Sequence, residues 1–230
     1  MAFKSIITVA AICLAAVSTN TQAALVNSYD FNNSLTDTLG NGLDLIASGG
    51  VVSGGRYGFS VNQGLRLVSA LPSTTDYGIE IKMQINDSTG GFNKVIDFQD
   101  LASDIGLYIQ SGGVDFFTVG PVAGSVLLDV DFTLGLARSG STIEVFLDNV
   151  LLFSVADSNQ AVSAANILNF FEDDNNTGQI EAFAGSVDFI RIHDDASTFG
   201  ATPSAVPVPA AFWLFGSGLL GLVGLARRKA

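Results

Sequence analysis

The run Phe171-Glu172-Asp173-Asp174-Asn175-Asn176-Thr177-Gly178 sets six oxygen-bearing side chains in a row, with Gln179 and Glu181 just beyond. Calcium takes about six to eight oxygens from carboxylates, amides and carbonyls, so the string has suitable chemistry. Asp173-x-Asn175-x-Thr177-Gly178 also begins like an EF-hand loop. Its twelfth position is Ala184, where that motif needs a bidentate Glu, so the motif fails. A solvated acidic loop explains the same string more simply and is the preferred reading. Asp30, Asn32, Asp37 and Asn41 form a second oxygen-rich group, which turn and Asx hydrogen bonding accounts for.

Other chemistries are short of residues. Glycoside hydrolysis needs two carboxylates about 5 Å apart for retention, or about 6.5–9.5 Å for inversion. Asp129 and Asp131 would share one face of a strand, roughly 6.5–7 Å apart by strand rise. Two such residues are ordinarily the solvent side of an amphipathic strand. A Ser-His-acid triad needs a histidine, and only His193 exists, at the end of the last predicted strand. No Gly-x-Ser-x-Gly elbow occurs between the chain's two ends. One imidazole without a thiol cannot build a Cys/His zinc site. For stacking on sugars the candidates are Tyr57, Tyr77, Tyr108 and several Phe, with core packing the preferred role for them.

Charge narrows the partners. The 230 residues hold 10 Lys and Arg against 22 Asp and Glu, a formal charge of −12. Lys4, Arg227, Arg228 and Lys229 lie in the ends, leaving six basic and 22 acidic residues between them, or −16. Phosphate repels such a surface, so nucleic acid is excluded as a partner. The only cysteine, Cys13, rules out a disulfide framework.

The elements that must position these residues alternate with period two. Tyr77, Ile79, Ile81, Met83 and Ile85 predict one half-buried antiparallel strand; Leu128, Val130, Phe132, Leu134 and Leu136 predict another. Thr142–Leu147 and Val150–Val155 predict a hairpin across Asp148-Asn149, a pair tolerant of positive φ. Further strands are expected at Leu25–Phe31, Leu43–Ala47, Arg56–Val61, Phe92–Phe98, Ile105–Gln110, Val114–Val119, Asn166–Phe171 and Val187–His193. One helical turn is expected near Asn159–Ala165. A dozen short strands predict an all-β, two-sheet antiparallel sandwich over residues 25–200.

Both ends read as addresses. Residues 1–24 have the order of a secretory signal peptide: Lys4, the apolar run Ile6–Val17, then Thr21-Gln22-Ala23-Ala24, with Ala23 and Ala24 at the expected peptidase site. Residues 201–209 form a Pro/Ser/Thr/Ala linker. Residues 210–230 predict one C-terminal transmembrane helix with a basic tail, since Ala210–Ala226 carries no charge and Arg227-Arg228-Lys229 follows. Gly216-Ser217-Gly218-Leu219-Leu220-Gly221 spells a dinucleotide fingerprint, but no strand precedes it and no acid follows.

The terminus Val206-Pro207-Val208-Pro209-Ala210, its apolar span and Arg227-Arg228-Lys229 closely resemble the PEP-CTERM sorting signal in its Val-Pro-x-Pro-Ala variant. The resemblance implies a Gram-negative exported protein cut by an exosortase, with Val206, Pro207 and Pro209 as the motif. It also implies a membrane-anchored intermediate with the body periplasmic, in hosts that usually secrete exopolysaccharide. The destination would be the cell surface, the extracellular matrix or the medium.

The segments Tyr29-Asp30-Phe31-Asn32-Asn33-Ser34-Leu35-Thr36-Asp37, Leu136–Asn149 and Gly185–Ile192 resemble the opening, central hairpin and closing strand of laminin-G-like, concanavalin A-like domains. A jelly roll is the fold this implies. An acidic loop before the closing strand also resembles the calcium loop of pentraxins. On that resemblance Glu172 and Asp174 would be ligands, with Glu181 a third. The expectation is a non-enzymatic surface or exopolysaccharide-matrix protein handled by exosortase and the export machinery. The alternatives are a calcium-dependent lectin and, less favoured, a polysaccharide hydrolase.

Overall fold

The computed structural model describes residues 23–88, 90–157, 162, 165–175 and 177–199. The expected signal peptide up to residue 22, the expected sorting motif at Val206, Pro207 and Pro209, the expected transmembrane span and Arg227, Arg228 and Lys229 lie outside them. So does most of the predicted helical turn at 159–165. No helix among the described residues is long and apolar enough to cross a membrane.

Among the described residues fourteen strands form two antiparallel sheets, the two-sheet sandwich expected from the alternation. In chain order they are β1 Leu25–Tyr29, β2 Ile46–Ser48, β3 Val51–Ser53, β4 Arg56–Phe59, β5 Gly64–Val68, β6 Asp76–Ile85 and β7 Phe92–Asp97. The second half comprises β8 Gly106–Gln110, β9 Gly113–Phe117, β10 Phe132–Ser139, β11 Thr142–Leu147, β12 Val150–Ala156, β13 Ile167–Phe170 and β14 Gly185–His193. The larger sheet runs β12-β11-β10-β6-β14-β4-β3, with β1 also on β14; the smaller runs β2-β5-β13-β7-β8-β9.

The alternation of β6 is realised residue for residue. Tyr77, Ile79, Ile81, Met83 and Ile85 are buried in the core with Leu134 and Leu136 of β10 and Val187, Ile190 and Ile192 of β14. From the smaller sheet come Val95, Leu107, Ile109, Phe116, Leu168 and Phe170. Burying a side chain of this size contributes about 1.5–3 kcal/mol. The hairpin forms as predicted, with Asp148 at φ 49° and Asn149 at φ 64°.

The strands depart from expectation in two respects. The predicted strand from Leu128 begins only at Phe132, because Asp129 adopts a left-handed φ of 57° and breaks the extended run. Leu128 and Val130 are therefore exposed. The strands β3 and β5 stand where no strand was expected.

The chain leaves the sandwich over the outer face of the larger sheet. A 3-10 turn, Ala196–Thr198, delivers the Phe199 ring onto Phe146, with centroids 5.2 Å apart, and edge-on to His193 at 6.3 Å. Gly135 makes room for it: a Cβ there would lie 2.7 Å from the Phe199 ring. Phe199→Ala should cost about 1.5–3 kcal/mol of stability, and Gly135→Ala should displace the same ring. Thermal unfolding of both variants checks this; an unchanged melting temperature in both would mean that the ring contributes no net burial.

Candidate functional site

The smaller sheet turns an unusual set of residues outward. Along the β7–β8–β9 register Lys94 stands opposite Tyr108, and Tyr108 opposite Asp115. Solvated polar residues would be ordinary here, yet Lys94, Tyr108 and Asp115 are all buried, Lys94 at 0% exposure. The segments 98–105 and 171–184 supply the cover. Ser103 O accepts from Lys94 Nζ at 3.0 Å, Glu181 O accepts from the Lys94 amide at 2.9 Å, and Val95 O accepts from the Phe171 amide at 3.0 Å.

Lys94 is the hub. Its ammonium donates to Asp174 Oδ2 and lies 3.1 Å from Asp97 Oδ2. Both carboxylates are fully buried. Asp97 and Asp173, the neighbour of Asp174, also shape turns. Asp97 Oδ1 accepts the amides of Leu101 at 2.7 Å and Gln99 at 3.1 Å. Asp173 accepts the Asp174 amide, the Thr177 hydroxyl and the Glu181 amide at 2.8–3.0 Å. The outward acids thus define the loops that bury the lysine.

The electrostatics follow from crowding. Burial holds the Asp97 carboxyl above its usual range, against the pull of the Leu101 amide and Lys94. Burial also raises Asp104, helped by its hydrogen bond with Asp174, and raises Glu181, helped by the charge of Asp173. Tyr108 is pushed well up, first by burial and then by Glu181 and Asp104. Phe92, Tyr108 and Phe117 meet edge to face at 5.8–6.0 Å and wall one side of the cluster.

The three acids proposed as calcium ligands do not converge. Glu172 accepts the Ser48 hydroxyl at 3.2 Å, and burial raises its pKa with Arg66 acting against it. Asp174 turns to Lys94, while Glu181 stands by Tyr108 and Asp173. No group of three or more His, Cys, Asp or Glu side chains among the described residues is disposed to hold a metal ion. Of the acidic string only Asp174 meets the Lys94 ammonium; Glu172 and Asp173 go to hydroxyl and amide donors.

Other sequence candidates are equally engaged. Asp129 Oδ1 accepts Asn86 Nδ2 at 2.9 Å, and Asp131 is paired with Arg56 at 2.8 Å; both lie before β10, not on a shared strand face. Tyr57 and Tyr77 are buried in the core, as expected, whereas Tyr108 is buried on the outer face of the smaller sheet. His193 is buried beneath Phe199, and burial with nearby Arg191 lowers its pKa. Asp37 organises the opening loop: Oδ1 takes the amides of Ser28 and Leu39, and Oδ2 takes Asn27 Nδ2 and the amides of Asn41 and Gly42. Burial pushes the Asp37 carboxyl up, but these donors outweigh it and hold it below its usual range. Ala23 and Ala24 lie against Ser197 and Asp194, beside the chain's exit.

Each of the six basic residues of the sandwich has a carboxylate within 3.5 Å: Arg56, Arg66, Lys82, Lys94, Arg138 and Arg191 pair with Asp131, Asp100, Asp188, Asp97 and Asp174, Asp157 and Glu80 respectively. Among the described residues, every Lys and Arg side chain is thus paired with a carboxylate. Lys94 escaped the sequence reading because its partner Asp174 and its cover lie in loops outside its own strand, and a register shift between Lys94 and Ile96 leaves no mark on the pattern. The available signal was its rarity, one of six basic residues in a strongly acidic body.

Residues 205–229 match the family model described as the PEP-CTERM protein-sorting motif. Such a motif implies an exported protein processed by an exosortase through a membrane-anchored intermediate. No curated protein matches the chain. Among solved structures it is similar to domain 4 of AbnA, a GH43 extracellular arabinanase from Geobacillus stearothermophilus, in complex with arabinotriose. The TM-score is 0.54 and the identity 16%, over 76% of this chain and 95% of that one. It is also similar to Trypanosoma rangeli sialidase, with TM-score 0.59 and 13% identity over 75% of this chain and 31% of that one. The botulinum neurotoxin serotype D binding domain gives 0.56 and 12%, over 75% and 48%. The chain thus spans less than half of the latter two, and at these identities the likeness establishes the β-sandwich alone.

Proposed function

We propose that this chain is a non-enzymatic β-sandwich protein of the cell surface or exopolysaccharide matrix, delivered by its C-terminal signal and freed from it by an exosortase. The sorting motif at residues 205–229 is the observation that carries this reading. Two features of the sandwich support it. The two carboxylates weighed for hydrolysis are engaged by other side chains, Asp129 by Asn86 and Asp131 by Arg56. Its four tyrosines are buried and offer no stacking platform to a sugar.

The test follows the protein in its host. Wild type should reach the extracellular matrix fraction without its C-terminal segment. Pro207→Ala with Pro209→Ala, or removal of residues 205–230, should leave the protein with the cells. Identical distribution of the variants and wild type would sink the sorting role. Incubating the matrix-derived protein with the host's polysaccharide, in calcium and in EDTA, should leave the polymer's length unchanged. Shortening of the polymer would overturn the non-enzymatic reading, and retention abolished by EDTA would replace it with a calcium-dependent lectin.

A further inference from the structure

The two ends of the described chain are laced together. Ala24 N donates to Asp194 Oδ1 at 2.7 Å, and the Asp194 amide returns a bond to Ala24 O at 3.1 Å. Pairing of β1 with β14 opens one residue later, at Leu25 opposite His193. Ala24 is therefore a working part of the sandwich, held through both of its backbone polar groups. Ala23 is held differently, its amide donating to the Ser197 hydroxyl at 3.0 Å.

This arrangement discriminates between neighbouring peptide bonds as places for the leader to be cut. A cut before Ala23 would leave an α-ammonium facing a neutral hydroxyl. A cut after Ala24 would delete both bonds to Asp194. Only a cut between Ala23 and Ala24 puts the new positive charge on a carboxylate, at charge-assisted hydrogen-bond distance. It also leaves small residues, Thr21 and Ala23, three and one positions before the bond.

We infer that the leader is removed between Ala23 and Ala24, and that Asp194 is the seat of the α-ammonium this creates. Water adds across the amide: its oxygen completes a carboxyl on Ala23, and the Ala24 nitrogen leaves with a proton and takes up another at neutral pH. The existing N–H···O bond becomes an ion pair without any movement of the chain. Removal of the leader thus strengthens the junction where the sandwich meets the segment leading to the sorting motif. The inference rests on residues 1–23 being an exported protein's leader.

Mass spectrometry of the protein purified from its host should give Ala24 as the first residue. A start at Ala23 or Leu25 overturns the inference and leaves export intact; a chain retaining residues 1–23 overturns both. Competitive labelling of the α-amino group across pH supplies a second readout. A free α-amino group titrates near pH 7.7–8.0, roughly; in the wild type the midpoint should rise, and in Asp194→Asn it should return to that range. Equal midpoints would overturn the seat at Asp194. Because the folded-state value is raised, the associated stability should be full below about pH 8 and lost above it. Asp194→Asn and Nα-acetylated wild type should both lack that alkaline loss.

Discussion

Replacing Lys94 by Met is expected to lower the melting temperature by about 6–20 °C. Removing one member of a buried ion pair costs about 3–5 kcal/mol, because the partner keeps an uncompensated charge. In a domain of this size one kcal/mol corresponds to about 2–4 °C. Lys94 has two buried partners, Asp97 and Asp174, so the upper part of that range applies. The loss should be largely reversible by neutralising what remains. Lys94→Met combined with Asp97→Asn and Asp174→Asn should recover more than half of the lost stability, since the acids then no longer carry buried charge. Melting followed by circular dichroism reads both. A single variant melting within about 2 °C of wild type would show that the ammonium is not what balances these acids.

Asp37 should rank next. Its carboxylate gathers five donors, from Asn27, Ser28, Leu39, Asn41 and Gly42. A hydrogen bond to a charged group contributes about 1.5–3 kcal/mol, and a buried donor left alone costs about 1–3 kcal/mol more. Asp37→Ala should therefore cost about 3–5 kcal/mol overall, and Asp37→Asn nearly as much, because its amide would present donors to donors at the Oδ2 position. Gly42 allows the arrangement, since a Cβ there would lie only 2.0 Å from Asn27 Nδ2. The carboxyl is held below its usual range, so its stabilisation is full above the unfolded-state value near pH 4. It is lost as pH falls further, through the folded-state value. Acid titration of stability should show this limb in wild type and a flatter one in Asp37→Asn. Identical acid limbs would remove Asp37 from the account.

What could be read from the chain beforehand divides along a physical line. Local patterns were legible: the five-residue alternation of Tyr77–Ile85, the Asp148-Asn149 turn, and the motif, apolar span and basic end of residues 206–229 each carry their meaning in consecutive residues. Asp37 was legible too, because Asx bonding acts over a few positions. The Lys94 cluster was not. The cover of Lys94 and its partner Asp174 come from segments 98–105 and 171–184, which the pattern within β7 does not reveal. For the same reason the string Glu172–Gly178 suggested a metal: its oxygens are real, but they go to separate partners, Glu172 to Ser48, Asp173 to turn donors and Asp174 to Lys94. Asp129 defeated the alternation by itself, since a left-handed φ leaves no mark on hydropathy.

The position of β14 sets how the protein meets a mechanical load. Tension on the segment beyond Phe199 enters the sandwich through the end of this strand. β14 is bonded to β6 along one flank, and to β1 and β4 along the other. Antiparallel hydrogen bonds lie perpendicular to their strands, so a pull along β14 strains both ladders together in shear and does not unzip them in turn. Forced unfolding is governed by the rate of crossing the barrier, and a barrier made of many simultaneous bonds yields slowly. A load directed along β14 would therefore have to break its bonds to β6, β1 and β4 together.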